Sequence, residues 1–330
     1  MTKNAIILPK NGKIRPVIEN LSPEINNGKY PTKSITGRKI YAQADILVDG
    51  HDNLGFRLLS RHSSEKQWIE SKMYGISEDR YEGFFITEKI GFYEFKIQAW
   101  VDHFATWQHE VEAKIKAGQH LVVELLVGIE LLEKIKKLAD KDDKKEITDF
   151  VAILKDPLRY QEAVWFCLSE KLHQWIEKYP LKENHVESET RRIFTDRNKA
   201  EFSSWYSFFP RSAARIEGKH GTFQDVINLL PRVKELGFDV VYLPPIHPIG
   251  TTFRKGKNNA TDCKPGEPGV PYGIGSPEGG HTAIHSELGT LKDFKKLVKA
   301  CQDMDLEIAL DLAIQCSPDH PWVKEHPDWF

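Results

Sequence analysis

The sequence predicts a multidomain protein in which an antiparallel β-sandwich is followed by an inserted helical bundle and then by alternating strands and helices. Three observations predict this order. Apolar side chains recur at every second position in the front part, at helical spacing in the middle part, and in strand-helix-strand order in the last part. The 330 residues also exceed the usual length of one domain. We therefore predict a sandwich domain at 1–107, a helical insertion at 108–187 and a final domain at 188–330.

The composition is that of an ordinary globular protein. Lys and Arg number 46 against 48 Asp and Glu, and 40% of the residues are hydrophobic. This balance lacks the basic excess of a nucleic-acid-binding protein. The 4 cysteines are scattered without zinc-ligand spacing, and no apolar run is long enough for a signal peptide or a membrane span. We predict a cytoplasmic protein with free thiols and no nucleic-acid or membrane partner.

The sandwich domain is predicted from short strands, of which Gly91–Val101 has the clearest alternation. Its inward residues are Tyr93, Phe95, Ile97, Ala99 and Val101. Similar runs at 39–48, 55–60 and 81–87 are separated by turn residues. Trp100 interrupts the polar face of the long strand. It is suited either to stacking on a sugar ring or, as we favour, to packing against a neighbouring domain.

The helical insertion is predicted from apolar residues at three- and four-residue spacing between 121 and 138. The charged tract Asp140–Glu146 follows, and we interpret it as a solvated turn between helices. A second helix is predicted over Arg159–Tyr179, ending before Pro180. Its apolar stripe comprises Tyr160, Val164, Leu168, Leu172 and Ile176.

The final domain is predicted from two successive strand-helix-strand units, which indicate a parallel sheet. The strands are expected at 205–209, 239–243 and 307–313. Two helices are expected to begin after the N-caps Thr222 and Thr290, each with an Asp three positions later. The residues expected to face inward are Phe223, Val226, Ile227, Leu230 and Val233 on the first helix, and Leu291, Phe294, Leu297, Val298 and Cys301 on the second.

A long loop, 244–289, joins the second strand to the second helix, where about 2 to 6 residues are usual. It leaves the carboxyl end of a parallel strand, which is where such folds place their ligands. The run Gly250–Asn259 contains three cations and two carboxamides, which suit an anionic or polyhydroxyl ligand but also a solvated loop.

Several other residues in this domain have the chemistry of a site. His281 and His285 have metal-compatible spacing if helical, but they lie among helix breakers, so hydrogen bonding is favoured over a metal site. Asp311 lies inside an apolar strand and needs partners, either in a structural network or at a polar pocket. Gln315 follows at the carboxyl end of that strand, where we expect it to contact ligand.

Three segments resemble the α-amylase-type glycoside hydrolase superfamily: Asp239–Ile246 its second barrel strand, Ser286–Phe294 a helix start, and Leu310–Gln315 its first conserved region. That region usually ends in Asn-His, whereas here it ends in Gln315-Cys316, so the usual histidine contact to the sugar is missing. The longer strings resemble the α-1,4-glucan:maltose-1-phosphate maltosyltransferases over the last 130 or so residues. These strings are 205–212, 247–259, 272–281 and 315–322.

The resemblance implies that residues 188–330 begin a (β/α)8 TIM barrel, that Lys255 and Gln315 bind the maltosyl donor, and that the protein is a homodimer. It also implies a retaining transfer of maltosyl from α-maltose 1-phosphate to an α-1,4-glucan, with release of phosphate and no cofactor or metal. Such a barrel needs eight strands and about 250 residues. We therefore expect this chain to be an N-terminal portion, without catalytic carboxylates and inactive alone.

Two other functions remain open from the sequence. One is another α-amylase-type hydrolase or isomerase that acts on α-glucans or trehalose. The other is a non-catalytic scaffold, in which the front domain binds glucan through Trp100 and the helical insertion mediates assembly.

Overall fold

The computed structural model describes residues 12–330. The chain divides into two compact units, Met1–Asn198 and Lys199–Phe330. Residues 188–198, which the sequence analysis placed with the final domain, lie in the first unit because their strand joins its sheet. Within the described part of the chain, no helix combines the length and apolar character that a membrane crossing requires.

From residue 12 onward, the first unit contains ten strands. They are β1 (Val17–Ser22), β2 (Thr32–Ile35), β3 (Arg38–Leu47), β4 (Leu54–His62), β5 (Ile69–Ser71), β6 (Met73–Gly75), β7 (Arg80–Thr87), β8 (Gly91–Val101), β9 (Val186–Glu187) and β10 (Arg191–Asp196). One sheet has the order β1-β3-β7-β6, and the other has β2-β10-β8-β4-β5 with β9 beside β8. The predicted strands at 39–48, 55–60, 81–87 and 91–101 are confirmed to within a few residues.

The two sheets of the first unit share one apolar core. Residues of β3 and β7 from one sheet pack with residues of β4, β8 and β10 from the other. The five inward residues predicted for β8 are all buried. The expectation of purely antiparallel pairing is wrong at one edge, because β10 lies parallel to β2. A parallel pair needs a long crossover connection, and here more than a hundred residues separate the two strands.

Trp100 is a buried packing residue with 1% of its surface exposed. It lies opposite Gly55 in the pairing of β4 with β8. A Cβ at Gly55 would overlap the indole, so the glycine makes room for the ring. The ammonium group of Lys182 lies 5.4 Å from the ring centroid and covers it from the segment after the helices. The packing role favoured from the sequence is confirmed.

Five helices follow β8 and enclose a second core. They are α1 (His103–Lys116), α2 (Val122–Leu138), α3 (Lys141–Lys155), α4 (Tyr160–Cys167) and α5 (Glu170–Lys178). The helix expected over 121–138 is confirmed as α2. The tract Asp140–Glu146 was wrongly interpreted as a turn. Asp140 caps α3 by accepting from the backbone amides of Asp142 and Asp143, so the acidic residues begin a helix whose dipole they complement.

The helix predicted over Arg159–Tyr179 is divided in two. Ser169 has extended backbone and accepts from the amide of Leu172, so that it caps a new helix, α5. This break changes the buried stripe to Ala163, Cys167, Leu172 and Trp175. The predicted end before Pro180 is confirmed.

The second unit contains three parallel strands in the order β11-β12-β13. The elements are β11 (Trp205–Ser207), α6 (Phe223–Glu235), β12 (Val240–Leu243), α7 (Leu291–Asp303), β13 (Glu307–Leu310) and α8 (Pro321–Glu325). Both predicted capping boxes are confirmed, at Thr222 with Asp225 and at Thr290 with Asp293. Leu291 was wrongly placed inward, because the first residue of α7 lies at its solvated end and is 59% exposed.

The three strands are shorter than predicted, and their carboxyl ends lie along one edge of the sheet. β13 ends at Leu310, so Asp311 lies just beyond the strand rather than inside it. The amide of Asp311 still donates to the carbonyl of Leu243 on β12, which keeps the two strand ends in register. The segments that leave β12 and β13 therefore start side by side.

Candidate functional site

The candidate site is a cavity formed by the two segments that leave β12 and β13. Its volume is about 290 Å³. Lys255, from the long loop, and Gln315, from the segment after β13, both line it. Lys255 is half-buried and Gln315 is exposed. The two residues singled out from the sequence thus line one cavity.

Arg254 forms one wall of this cavity and holds the long loop closed. Its Nη2 donates to the carbonyls of Glu267 and Pro268, at 3.3 and 2.8 Å. Its Nη1 donates to the carbonyls of Ile249 and Gly250, at 3.3 and 3.4 Å. The guanidinium therefore joins the two ends of the segment 249–268, and its charge lies among neutral acceptors. The sequence places this cation in the loop, but its carbonyl partners at 267 and 268 are too far along the chain for a local pattern to indicate this role.

Tyr272 is the hydrogen-bond partner that the carboxylate of Asp311 requires. Its hydroxyl donates to Oδ2 of Asp311 at 2.7 Å, and the ring lines the cavity. The hydrogen bond to this carboxylate, with burial, raises the pKa of Tyr272 to about 12. Hydrogen bonding to the same carboxylate also raises the pKa of Tyr242. Asp311 thus closes a structural network whose outer member, Tyr272, faces the cavity.

Asp319 joins the segment that carries Gln315 to the loop that carries Lys255. Its Oδ2 accepts from the amides of Thr251 and Thr252 at 2.6 and 2.7 Å. The hydroxyl of Thr251 also donates to Oδ2, at 3.0 Å, and the hydroxyl of Thr252 donates to Oδ1 at 2.6 Å. These four bonds, led by that of the Thr252 hydroxyl, hold the pKa of Asp319 well below its usual range.

Asp319 was not among the residues predicted for the site, although it stands in a Ser-Pro-Asp string typical of turns.

The loop and the segment after β13 also touch through their backbones. A Cβ at Gly250 would overlap the side chain of Ser317 and would lie 2.8 Å from the carbonyl oxygen of Gly275. The amide of Ser317 donates to the carbonyl of Ile274 at 2.7 Å. Glycine at position 250 is therefore what permits this close approach.

The two histidines with metal-compatible spacing are not brought together. The Nε2 of His281 lies 2.7 Å from the carbonyl oxygen of Ala313, and its Nδ1 lies 3.0 Å from Nε2 of the buried His320. Its ring stacks on Trp322 with centroids 5.4 Å apart. His281 therefore supports the segment after β13 by hydrogen bonding, as favoured from the sequence.

His285 instead lies with His220 and Glu287, in a group whose ligand atoms lie within 4.8 Å of one another. The Nδ1 of His220 lies 2.8 Å from the carbonyl oxygen of Gly221, which leaves its Nε2 free to bind a cation. The Nδ1 of His285, however, accepts from the amide of Glu287 at 3.3 Å. A neutral ring in that tautomer carries its proton on Nε2, which opposes a role as a ligand. Burial lowers the pKa of His285.

A second cavity, of about 1210 Å³, shares Arg254 with the first. Arg211 lines it and donates to the carbonyl of Gly269 at 2.7 Å. Burial and the nearby Arg254 lower the pKa of Arg211. Two guanidinium groups thus donate to backbone carbonyls of the same region of the loop.

Two family models together match almost all of the described chain. Residues 14–197 match α-1,4-glucan:maltose-1-phosphate maltosyltransferase, domain N/S, and residues 191–328 match the α-amylase catalytic domain. Curated relatives named α-1,4-glucan:maltose-1-phosphate maltosyltransferase occur in Methylacidiphilum infernorum and Chlorobaculum tepidum. Each is 43% identical, over 98% of this chain and 48% of the relative. The chain therefore spans about half the length of the curated relatives it matches.

A solved structure of an α-amylase from Lactobacillus plantarum matches 39% of this chain and 27% of its own, at 36% identity and a TM-score of 0.32. Most of the second unit falls within residues 191–328, which match the α-amylase catalytic domain.

Proposed function

The chain belongs to the α-1,4-glucan:maltose-1-phosphate maltosyltransferase family, and from this premise we propose that it forms part of an enzyme that transfers maltosyl from α-maltose 1-phosphate to an α-1,4-glucan. The observation that carries the proposal is the common cavity of Lys255 and Gln315 at the carboxyl edge of the parallel strands. An ammonium group suits the phosphate of such a donor, and a carboxamide suits its hydroxyl groups.

The reaction is a retaining double displacement. A carboxylate attacks the anomeric carbon of the donor, the bond to phosphate breaks, and phosphate leaves with the bonding electrons. The 4-hydroxyl at the non-reducing end of a glucan then attacks the anomeric carbon of the covalent maltosyl-enzyme and loses its proton to a general base, while the bond to the enzyme carboxylate breaks and the carboxylate leaves with the bonding electrons. We propose that Lys255 and Gln315 hold the donor, and that both catalytic carboxylates are supplied by a part of the enzyme outside this chain.

The architecture proposed for this function has three parts. The two sheets that share a core form a β-sandwich, the five helices form an insertion, and the three parallel strands with their helices begin a (β/α)8 barrel. The proposed domains are those expected from the sequence, 1–107, 108–187 and 188–330, with the last boundary moved so that 188–198 join the sandwich through β10 and the barrel part begins at 199. We also propose that the enzyme is a cytoplasmic homodimer that acts in glycogen biosynthesis.

The scaffold alternative is weakened by one observation. Trp100, the residue proposed to stack on glucan, is 1% exposed and covered by Lys182. A buried indole cannot present its face to a sugar. A hydrolase or isomerase of the α-amylase type remains the second candidate, supported by the family model over 191–328.

The proposal is tested with the natural protein that contains this chain. Phosphate release from α-maltose 1-phosphate is measured with and without a maltooligosaccharide. Release that depends on the glucan supports transfer, whereas release of free sugar without glucan supports hydrolysis and contradicts the proposal. Lys255→Ala is expected to raise the donor KM roughly 10-fold to 100-fold, since a hydrogen bond to a charged group contributes about 1.5 to 3 kcal/mol. Gln315→Ala is expected to raise it roughly 2-fold to 10-fold, since a hydrogen bond between neutral groups contributes about 0.5 to 1.5 kcal/mol.

Matched controls come from the exposed face of α7. Lys292→Ala and Gln302→Ala remove the same chemical groups away from the cavity. Their KM values are expected to stay within about 2-fold of the parent, as is usual for surface substitutions. Equal effects of the cavity and control variants would contradict the proposed donor site. Reading the gene beyond codon 330 supplies a second check, because an Asp and a Glu are expected at two further strand ends.

A further inference from the structure

We propose that Asp319 is a positioning residue that holds Lys255 and Gln315 at one cavity, a role that rests on the proposed function of those two residues. Asp319 follows Gln315 by four residues. The three residues between them, Cys316, Ser317 and Pro318, also line the cavity. The carboxylate of Asp319 spans the gap to Thr251 and Thr252, on the loop that continues to Lys255.

The two sides of this contact are anchored unequally. On the side of Gln315, the amide of Ser317 is bonded to Ile274, and His320 is buried and bonded to His281. This segment therefore has fixed points on both sides of Asp319. On the other side, Thr251 and Thr252 are exposed. Their amides and hydroxyls all donate to this one carboxylate.

A short turn connects Thr251, which Asp319 contacts, to Lys255. The amide of Arg254 donates to the carbonyl of Thr251 at 3.2 Å, which closes a turn over residues 251–254. Phe253, inside this turn, has a φ of +55° and is 86% exposed, so its ring does not hold the turn in place. The position of Lys255 thus follows from that of Thr251, which Asp319 fixes, and from the carbonyl contacts of Arg254.

The carboxylate is well suited to this role because it accepts without donating. Asp319 satisfies four donors with two charged oxygens, whereas an asparagine offers one neutral acceptor oxygen and an NH₂ group, so the Thr252 hydroxyl keeps its bond only by turning to accept. An alanine offers no hydrogen-bond acceptor to these donors. The expected order of function is therefore the parent, then Asp319→Asn, then Asp319→Ala. A residue that merely filled space would not give this order, because Asn and Asp have nearly the same size.

The test uses the natural protein that contains this chain and combines two measurements. The first is hydrogen–deuterium exchange of peptides covering 250–256, since the amides of Thr251 and Thr252 bond to Asp319 directly. Exchange is expected to be roughly 10-fold faster in Asp319→Ala and intermediate in Asp319→Asn. The second is steady-state kinetics. The donor KM is expected to rise about 10-fold in Asp319→Ala, with kcat changed less than about 3-fold, because the donor contacts are lost and the chemistry is not.

The control is Asp328→Asn, which removes an exposed carboxylate from the same C-terminal stretch and is expected to behave as the parent in both measurements. Thr251→Val is included in case Asp319→Ala does not fold. It removes one of the four bonds at a residue that does not line the smaller cavity, and is expected to raise the donor KM about 3-fold.

The outcomes separate this proposal from the proposed function. Parental exchange at 250–256 in Asp319→Ala overturns the positioning role. If Asp319→Ala does not fold, a parental donor KM in Thr251→Val overturns it. Faster exchange with an unchanged donor KM also overturns it. If the parent shows no glucan-dependent phosphate release, the proposed function fails, and the exchange measurement still decides whether Asp319 holds the loop.

Discussion

Gly250 provides a quantitative test of how closely the two segments of the cavity approach each other. In Gly250→Ala the new methyl group would overlap the side chain of Ser317 and lie 2.8 Å from the carbonyl oxygen of Gly275. Ser317 is buried, with 6% exposure, so it cannot move aside into solvent. An extra methyl group in such a site costs about 1 to 3 kcal/mol. We therefore expect the second unit to lose that much free energy of unfolding.

A double-mutant cycle identifies the cause of this loss. Ser317→Gly removes the side chain that the methyl group would meet, and it also removes the hydroxyl that accepts from the amide of Asp319 at 3.2 Å. The single change is expected to cost about 1 kcal/mol. The double variant Gly250→Ala with Ser317→Gly is expected to be more stable than the sum of the two single losses by about 1 kcal/mol, since the largest overlap is gone.

The assay is urea unfolding of the natural protein, monitored with a signal that reports unfolding of the second unit. The donor KM is measured in parallel, because the displaced loop carries Lys255. Strictly additive losses in the cycle would refute the argument from close approach, as would a Gly250→Ala variant with parental stability.

Three further predictions concern the two cores and the network beside the cavity. Phe150→Ala in α3 is expected to cost about 3 to 5 kcal/mol in chemical unfolding, because the ring is 3% exposed in the helical core; a loss below 1 kcal/mol would contradict that burial. Thr290→Ala removes half of a capping box with Asp293 and is expected to cost about 1 kcal/mol, measured against an exposed Thr→Ala control. Tyr272 is expected to ionise near pH 12, after ordinary tyrosines, in an ultraviolet titration compared with Tyr272→Phe. Its pKa is raised in the folded state, so the stabilisation from its bond to Asp311 is present below pH 10 and lost as the pH rises toward 12; ionisation of Tyr272 near pH 10 would contradict the network.

Local signals in the sequence predicted those elements whose cause is itself local. The alternation of β8 predicted its buried face because strand geometry sends successive side chains to opposite sides. The Thr-x-x-Asp strings predicted the starts of α6 and α7 because a capping box involves only four residues. The prediction failed where one pattern had two interpretations. Asp140 suits a turn as well as an N-cap, and the structure shows the cap.

Contacts between distant residues were beyond such reasoning. The parallel pairing of β10 with β2 depends on where the chain returns after five helices, which no window of sequence contains. For the site, a strand-end argument predicted the region of Gln315, and a resemblance supplied Lys255. The carboxylate that joins their segments was missed because Asp319 and Thr251 lie 68 residues apart.

The charges at the cavity differ in mobility, and this difference bears on the proposed donor. Among the described residues, the hydrogen-bond acceptors of Arg254 are backbone carbonyls, so its guanidinium is held in place without a carboxylate to neutralise it. Lys255, beside it, has a flexible stem and a compact charge. Because the Arg254 guanidinium is already held in place, it can bind an anionic ligand without reorganising. The flexible side chain of Lys255 can follow a phosphate as it leaves. On the proposed function, Arg254→Gln should therefore weaken binding of inorganic phosphate as well as of α-maltose 1-phosphate, whereas Gln315→Ala should weaken only the sugar-bearing ligand. Equal loss of both ligands in the two variants would contradict this division of roles.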